Sequence, residues 1–365
     1  MPRCIACSSV KPATNLQTDI ITMRRDAYFN RTWYEDEPPA WWQHVLAIIF
    51  RFVSALRRGF YRVRILRGVK LDVPVIVIGN LTAGGTGKTP LTLALVRELG
   101  ERGFKPGIVS RGYGGRPGKT PLHVTAETPV SRAGDEAVML AARSNVPVFV
   151  HPRRARAAQA LLATHSVDVI ICDDGLQHYA LARDIEIAVV DGQRGLGNGK
   201  LLPAGPLREP TARLRSVNHV VINGEMSAQA QTALSKIDSA KITSMQLEAV
   251  ALVNISNGER RPRDTFVDRH CAAVAGIGNP QRFFSTLGEL DYRAECRAFP
   301  DHYTYKREDF EFAGERPLLM TEKDAVKCRA FAAPGWWYLE IAASLETSFI
   351  DALAARLKRL QGEIA

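Results

Sequence analysis

Residues 75–89, Val-Ile-Val-Ile-Gly-Asn-Leu-Thr-Ala-Gly-Gly-Thr-Gly-Lys-Thr, constrain the fold more than any other segment. An apolar, β-branched strand runs into a glycine-rich loop, and Gly87-Lys88-Thr89 opens a helix. Successive backbone N–H groups of such a loop, backed by the helix N-terminus, form a nest for phosphate oxygens. A nucleotide P-loop is therefore expected from Thr82, Ala83, Gly84, Gly85, Thr86, Gly87, Lys88 and Thr89. Lys88 is placed to bridge the β- and γ-phosphates, and Thr89 to offer its hydroxyl to Mg²⁺. One position departs from the usual GxxxxGK[ST] pattern: Thr82 stands where the first glycine is expected.

A P-loop needs an acid for its metal. Val167–Cys172 is an apolar strand that ends in Asp173 and Asp174, at the strand end where open α/β sheets bind ligands. Carboxylates there can hold Mg²⁺ directly or through water, because the hard ion prefers oxygen. Asp191, after Ile185–Val190, is a weaker second candidate. Further strands are expected at Val73–Ile78, Ile108–Ser110, Val146–Val150 and His219–Ile222, with helices at Lys88–Glu101, Asp135–Arg143 and Arg153–His165. Continuous apolar strands between helices imply a mostly parallel α/β sheet covered on both faces. Ser110-Arg111-Gly-Tyr113-Gly-Gly115 follows a strand end and could hold an anionic or sugar-like ligand, or simply turn. Asp135 opens a helix as an N-cap or as a base beside the nucleotide; spacing does not choose.

The net charge is +10, and residues 1–70 hold twelve Lys and Arg against five acids. Residues 51–70 hold seven of those bases and no acid. A nucleic-acid binder would spread such charge over its core, whereas here it adjoins the apolar run 41–56, WWQHVLAIIFRFVSAL. Sixteen residues fall short of the ~20 that span a bilayer, and Arg51 at mid-helix would cost about 2.5–3.5 kcal/mol there. His44, Arg51, Arg58 and Arg62 share one helical face, opposite Val45, Ile48, Ile49, Phe52, Val53 and Leu56. That pattern fits a helix lying in the interface of an anionic membrane, or one packed on its own domain. Cys4 and Cys7 have metal-like spacing but no second pair nearby, and the six cysteines together read as those of a reducing compartment.

The division expected is an extension of unclear role at 1–22, with Met23 as an alternative start, and a membrane-docking segment at 23–70. A P-loop core at 71–243, a linker hairpin at 244–262 and a smaller α/β domain at 263–365 follow. The last helix, Glu346–Leu360, carries an apolar stripe suited to docking.

The ordered motifs resemble those of the tetraacyldisaccharide 4′-kinase family, the lipid A kinases of Gram-negative bacteria. They are Gly79–Pro90, Ser110–Gly115, Gly134–Glu136, Asp173-Asp-Gly-Leu-Gln-His178, Leu202-Pro-Ala-Gly-Pro-Leu-Arg-Glu209, Pro300–Tyr303 and Thr321–Asp324. The resemblance implies transfer of the γ-phosphoryl group of ATP to the 4′-hydroxyl of a membrane-held, acylated glucosamine disaccharide 1-phosphate. It implies a monotopic enzyme on the cytoplasmic face of the inner membrane, in contact with anionic lipid, with neither a nucleic acid nor a protein partner. Carried over by motif, Asp135 is the base and His302 its partner, while Asp173 and Asp174 serve Mg²⁺ and the phosphates. Gln177, Arg208, Arg111 and Tyr113 would face the lipid headgroup, and Arg153 or Arg154 would bind phosphate. The alternative is a membrane-attached regulatory ATPase or GTPase. No Asn-Lys-x-Asp guanine signature supports the GTPase form, since Thr321-Glu-Lys-Asp324 has the wrong spacing. A dehydrogenase reading of Gly276-Ile-Gly278 fails because Gln281 stands where the third glycine belongs.

Overall fold

A computed structural model describes residues 11–12, 28–35, 37–266 and 269–364. Cys4, Cys7 and most of the 1–22 extension lie outside the described residues. In chain order the elements are β1 (Lys11–Pro12), α1 (28–34), α2 (Trp41–Arg62), β2 (Val75–Gly79), α3 (Lys88–Glu101), β3 (Pro106–Ser110) and β4 (Leu122–Val124). Next come α4 (Val130–Ala133), α5 (Asp135–Ser144), β5 (Val148–Val150), α6 (Arg154–Thr164), β6 (Val169–Cys172), β7 (Ile185–Asp191), β8 (His219–Asn223) and α7 (Ala228–Leu234). The remainder are β9 (Ile242–Asn254), β10 (Arg260–Pro262), β11 (His270–Ala275), α8 (Pro280–Glu289), β12 (Arg293–Ala298), β13 (Leu318–Thr321), α9 (Glu322–Cys328), β14 (Trp336–Leu345) and α10 (Thr347–Ile364).

The chain forms two compact units, one of residues 26–247 with 343–365, the other of 248–342 with the first 25 residues. In the larger unit the strand order is β8-β7-β2-β6-β3-β5-β4, parallel throughout except for the β4 edge. The first part of β9 extends it beside β8, again parallel. Val75, Ile76, Val77 and Ile78 are all buried because helices cover both faces. Val75 and Val77 pack with Ala157, Ala158 and Leu161 of α6.

The last helix belongs to this larger unit, which corrects its assignment to the 263–365 domain. Arg102 grips Asp351 at 2.8 and 2.9 Å, Phe349 packs edge-on against His219, and Arg356 donates to the carbonyl of Asp184. The buried stripe Phe349, Leu353 and Leu357 supplies the apolar contact.

In the smaller unit β12, β11, β13 and β14 are parallel neighbours, and β10 folds back antiparallel on the second part of β9. Thr321 caps α9 by accepting from the Asp324 N–H. The buried Asp324 carboxylate accepts from the Gly276 N–H at 2.9 Å and faces Lys327 at 2.8 Å. Thr321-Glu-Lys-Asp324 thus secures a helix start and the Gly276 turn.

Candidate active site

The P-loop connects β2 to α3 as its residue types require. Gly87 has φ +93°, and a Cβ there would stand 2.5 Å from the Asn223 amide, so glycine is needed on both counts. That amide donates to the carbonyl of Thr86 at 3.0 Å, fixing the loop from β8. Thr82 needs no left-handed backbone: it pairs antiparallel with Leu207, and the Ala83 N–H donates to the Pro206 carbonyl at 2.8 Å. The departure from glycine therefore reflects bracing by the Leu202–Glu209 segment. The same segment is tied to the N-terminal helices, since Trp33 and Gln43 both donate to the carbonyl of Pro203. Within the loop, the Thr86 hydroxyl is buried with no hydrogen-bond partner among the described residues, an orphan acceptor and donor inside the phosphate nest.

Lys88 opens α3 and projects back to Asn80 Oδ1 (3.3 Å) and Asp174 Oδ1 (3.5 Å). Arg208 reaches the same Asp174 oxygen at 3.4 Å, and Arg154 donates to the Asp174 carbonyl at 2.7 Å. Burial opposes ionisation of Asp174, but Lys88, Arg208 and Arg154 outweigh it and hold the carboxyl below its usual range. Its φ of +47° is a left-handed backbone in a non-glycine residue, imposed where β6 ends. Gln177 donates to the Asn80 carbonyl at 3.0 Å, so it fixes the P-loop flank as well as lying near the cluster.

Asp173 differs from its neighbour. It is buried and accepts from Thr92 at 3.1 Å. Burial, then Glu136 and Asp174, push its pKa up to about 7, against the opposing pull of Lys88. Hard oxygen donors crowded until one resists ionisation are the donor set that suits Mg²⁺. Asp173, Asp174 and the Thr89 hydroxyl on the first turn of α3 would hold it. Below about pH 4 the Asp173 carboxyl is protonated in both folded and unfolded chains. Between pH 4 and 7 only the folded chain keeps the proton, so stability falls as pH rises. Asp173→Asn should therefore raise the unfolding midpoint at pH 8, by the equivalent of about 1–4 kcal/mol. Thermal unfolding of both proteins at pH 5 and pH 8 checks the sign: a variant midpoint at or below that of wild type at pH 8, or a wild-type midpoint higher at pH 8 than at pH 5, would oppose this account.

Asp135 is the first residue of α5 and is buried; its carboxylate accepts from the Glu136 N–H at 2.9 Å. Gly134 before it has φ +84°, and a Cβ there would come within 2.1 Å of the Tyr113 carbonyl. The Ser110–Gly115 loop thus lies directly on the α4–α5 junction, which brings two of the motifs together. Tyr113 and Arg111 are exposed on that loop. Arg111 is near enough to His178 to act on it: burial first, then Arg154, Arg183, Arg57 and Arg111, push His178 down to about 4, so its ring is neutral at physiological pH. His302 stands in the smaller unit, at φ +61°, with its N–H donating to Asp301 at 3.0 Å. Asp301 is held in turn by Lys323 at 3.0 Å. Asp191 accepts from the N–H groups of Gln193 and Arg194, turning the chain after β7. Asn80, Glu136 and Asn223 were not singled out by type or spacing, although Asn80 and Glu136 sit inside the quoted motifs.

Residues 39–358 match the family profile described as tetraacyldisaccharide-1-P 4′-kinase. The chain belongs to that family. It is 46% identical to the tetraacyldisaccharide 4′-kinase of Pseudomonas aeruginosa over 329 residues, spanning 90% of this chain and 96% of that protein. The corresponding kinase of Methylobacillus flagellatus is 45% identical over 339 residues, or 91% and 96%. Among solved structures, LpxK from Aquifex aeolicus in complex with ATP superposes with a TM-score of 0.73 at 29% identity, covering 86% of this chain and 96% of that one. Family membership displaces the regulatory ATPase or GTPase alternative.

Proposed function

We propose that this kinase transfers the γ-phosphoryl group of ATP to the 4′-hydroxyl of a tetraacyl glucosamine disaccharide 1-phosphate, a step of lipid A biosynthesis. The observation that carries the reading is the convergence of Lys88 and Arg208 on Asp174 beside the P-loop nest. The nest and Lys88 would bind the nucleotide phosphates, and Arg208 and Arg154 would neutralise the charge of the transferring group. Phosphoryl transfer has a loose transition state, so placement and charge neutralisation dominate. The acceptor oxygen bonds to γ-phosphorus as the bond from γ-phosphorus to the β–γ bridging oxygen breaks and ADP leaves. The hydroxyl proton passes to Asp135, with His302 as its partner in proton handling. Mg²⁺, when bound, neutralises the β- and γ-phosphate oxygens. Arg111, Tyr113 and Gln177 are assigned to the acceptor headgroup. An ATP-dependent assay on the disaccharide 1-phosphate, scored by the position of the new phosphate, tests this. Phosphate appearing anywhere but the 4′ position would sink it.

The enzyme is assigned to the cytoplasmic face of the inner membrane as a monotopic protein. No helix among the described residues is long and apolar enough to cross a membrane. On α2 the single buried residue is Gln43, while Ile48 and Phe52 are 69% and 68% exposed. Such an apolar face has little to gain from water and about 1.5–3 kcal/mol per large side chain to gain from lipid. Ile48→Asp with Phe52→Asp should cut flotation on phosphatidylglycerol-containing vesicles by at least about tenfold, with an unchanged unfolding midpoint. Full flotation would refute α2 as the anchor.

A further inference from the structure

We infer that Gln43 is a positioning residue of the nucleotide site, and that through it the seating of α2 in lipid tightens ATP binding. The inference rests on two readings given above, the P-loop as the nucleotide site and α2 as the anchor. Gln43 is out of character with its helix. It is 0% exposed, whereas Trp41 and Val45 on either side of it are 78% and 48% exposed. A buried amide persists where its hydrogen bonds are met, and Gln43 meets three. Its Oε1 accepts from the Tyr28 hydroxyl at 3.1 Å and from the Ala40 N–H at 2.7 Å, and its Nε2 donates to the Pro203 carbonyl at 3.2 Å. The Trp33 indole N–H donates to that same carbonyl at 3.1 Å. One backbone oxygen therefore gathers both α1 and α2.

From Pro203 the link to the nucleotide site is a few residues of backbone. The Pro206 carbonyl accepts from the Ala83 N–H at 2.8 Å, Leu207 pairs with Thr82, and the Arg208 N–H donates to the Leu81 carbonyl at 2.6 Å. Three successive residues thus clasp the three that lead into the P-loop. The Arg208 guanidinium then reaches Asp174 at 3.4 Å. Tyr34 of α1 adds a second strut, its hydroxyl donating to the Ala83 carbonyl at 3.4 Å. The connecting segment is stiff. The Leu202 N–H donates to the Leu207 carbonyl at 2.9 Å and the Gly205 N–H to the Leu201 carbonyl at 3.0 Å. Asn198 donates to the carbonyls of Thr32 and Ala204, both at 2.9 Å, and a Cβ at Gly205 would strike the Asn198 amide oxygen. A segment without slack passes a displacement at Pro203 on to Thr82 and Ala83.

Lipid enters because of how little else holds α2. Gln43 is its single buried residue, so packing on its own domain restrains the helix weakly. A bilayer that takes up the apolar face removes that freedom beforehand. The freedom then need not be lost again when ATP orders the loop, and the nucleotide binds more tightly. Linkage demands the converse: ATP must tighten vesicle binding by the same factor.

The test measures the ATP dissociation constant of the full chain, without acceptor, in the presence and absence of phosphatidylglycerol-containing vesicles, with flotation read on the same samples. Wild type should bind ATP about three- to tenfold more tightly on vesicles, the scale of one or two hydrogen bonds. Gln43→Leu with Trp33→Phe leaves the Pro203 carbonyl without either donor while nearly keeping both shapes. It should still float, yet bind ATP equally with and without vesicles. Trp33→Phe alone, the milder change, should keep part of the difference. A wild-type affinity that vesicles do not move overturns the inference, and so does a double variant that floats and keeps the whole effect. ATP should also lower the lipid concentration for half-maximal flotation by the matching factor, and a wild type without that reciprocal shift overturns the coupling whether or not the variants fold. The readings beneath it fail separately. Wild type that does not float fails the anchor, and wild type that binds no ATP in either condition fails the P-loop.

Discussion

Lys88→Ala should lower kcat by about 10²–10³-fold or more, the cost of removing one preorganised charge from a site where charge develops. The lysine sits at the first position of α3, where it gains nothing for the helix that alanine would not supply. Its partners, Asn80 and Asp174, are both on the ligand side of the sheet. Removing it also leaves Asp174 with Arg208 and Arg154 alone, so the carboxylate loses the leading contribution that keeps it ionised. The unfolding midpoint without nucleotide should move little, since an ion pair at 3.5 Å with a partly exposed carboxylate contributes weakly. The stabilisation that ATP confers on wild type should vanish with the lysine. Near-normal turnover by the variant would remove the P-loop assignment, and so would an undiminished midpoint shift with ATP.

The P-loop, the strand-end acids and the parallel sheet were legible because each rests on local rules: period, glycine at a forced backbone, carboxylate after an apolar run. Thr82 shows where such rules stop. Nothing in its neighbourhood tells that Leu207, more than a hundred residues later, would pair with it. Glu136 was hidden differently. A glutamate at the start of a helix has a ready local explanation, and only the fold brings its charge to bear on Asp173. The last helix was misassigned because its amphipathic stripe announces burial without naming the surface that receives it. Asp351 pairing with Arg102 and Phe349 packing on His219 are long-range choices that periodicity cannot express. Exposure of the α2 apolar face was one of two readings in the sequence, and the burial of Gln43 alone distinguishes them.

Asp135→Asn and His302→Ala should each lower kcat by about 10²–10⁴-fold, the range of a general base. The double variant should fall little further, because two groups acting on one proton cannot be lost twice. The chemistry asks for such a pair. A lone carboxylate that took the hydroxyl proton beside phosphates would have to release it into a crowd of negative charge, and a histidine can accept it instead. Both residues are fixed by their surroundings. Asp135 is buried at a helix start where Gly134 fits against the Tyr113 carbonyl, and asparagine keeps its shape while removing its basicity. His302 is set in a left-handed turn by Asp301, itself fixed by Lys323. The residues belong to different compact units, so a shared folding defect is a poor explanation for non-additive kinetics. Single variants that retain wild-type unfolding midpoints and ATP affinity, yet multiply in the double variant, would mean that the two act independently and that the proton has another acceptor.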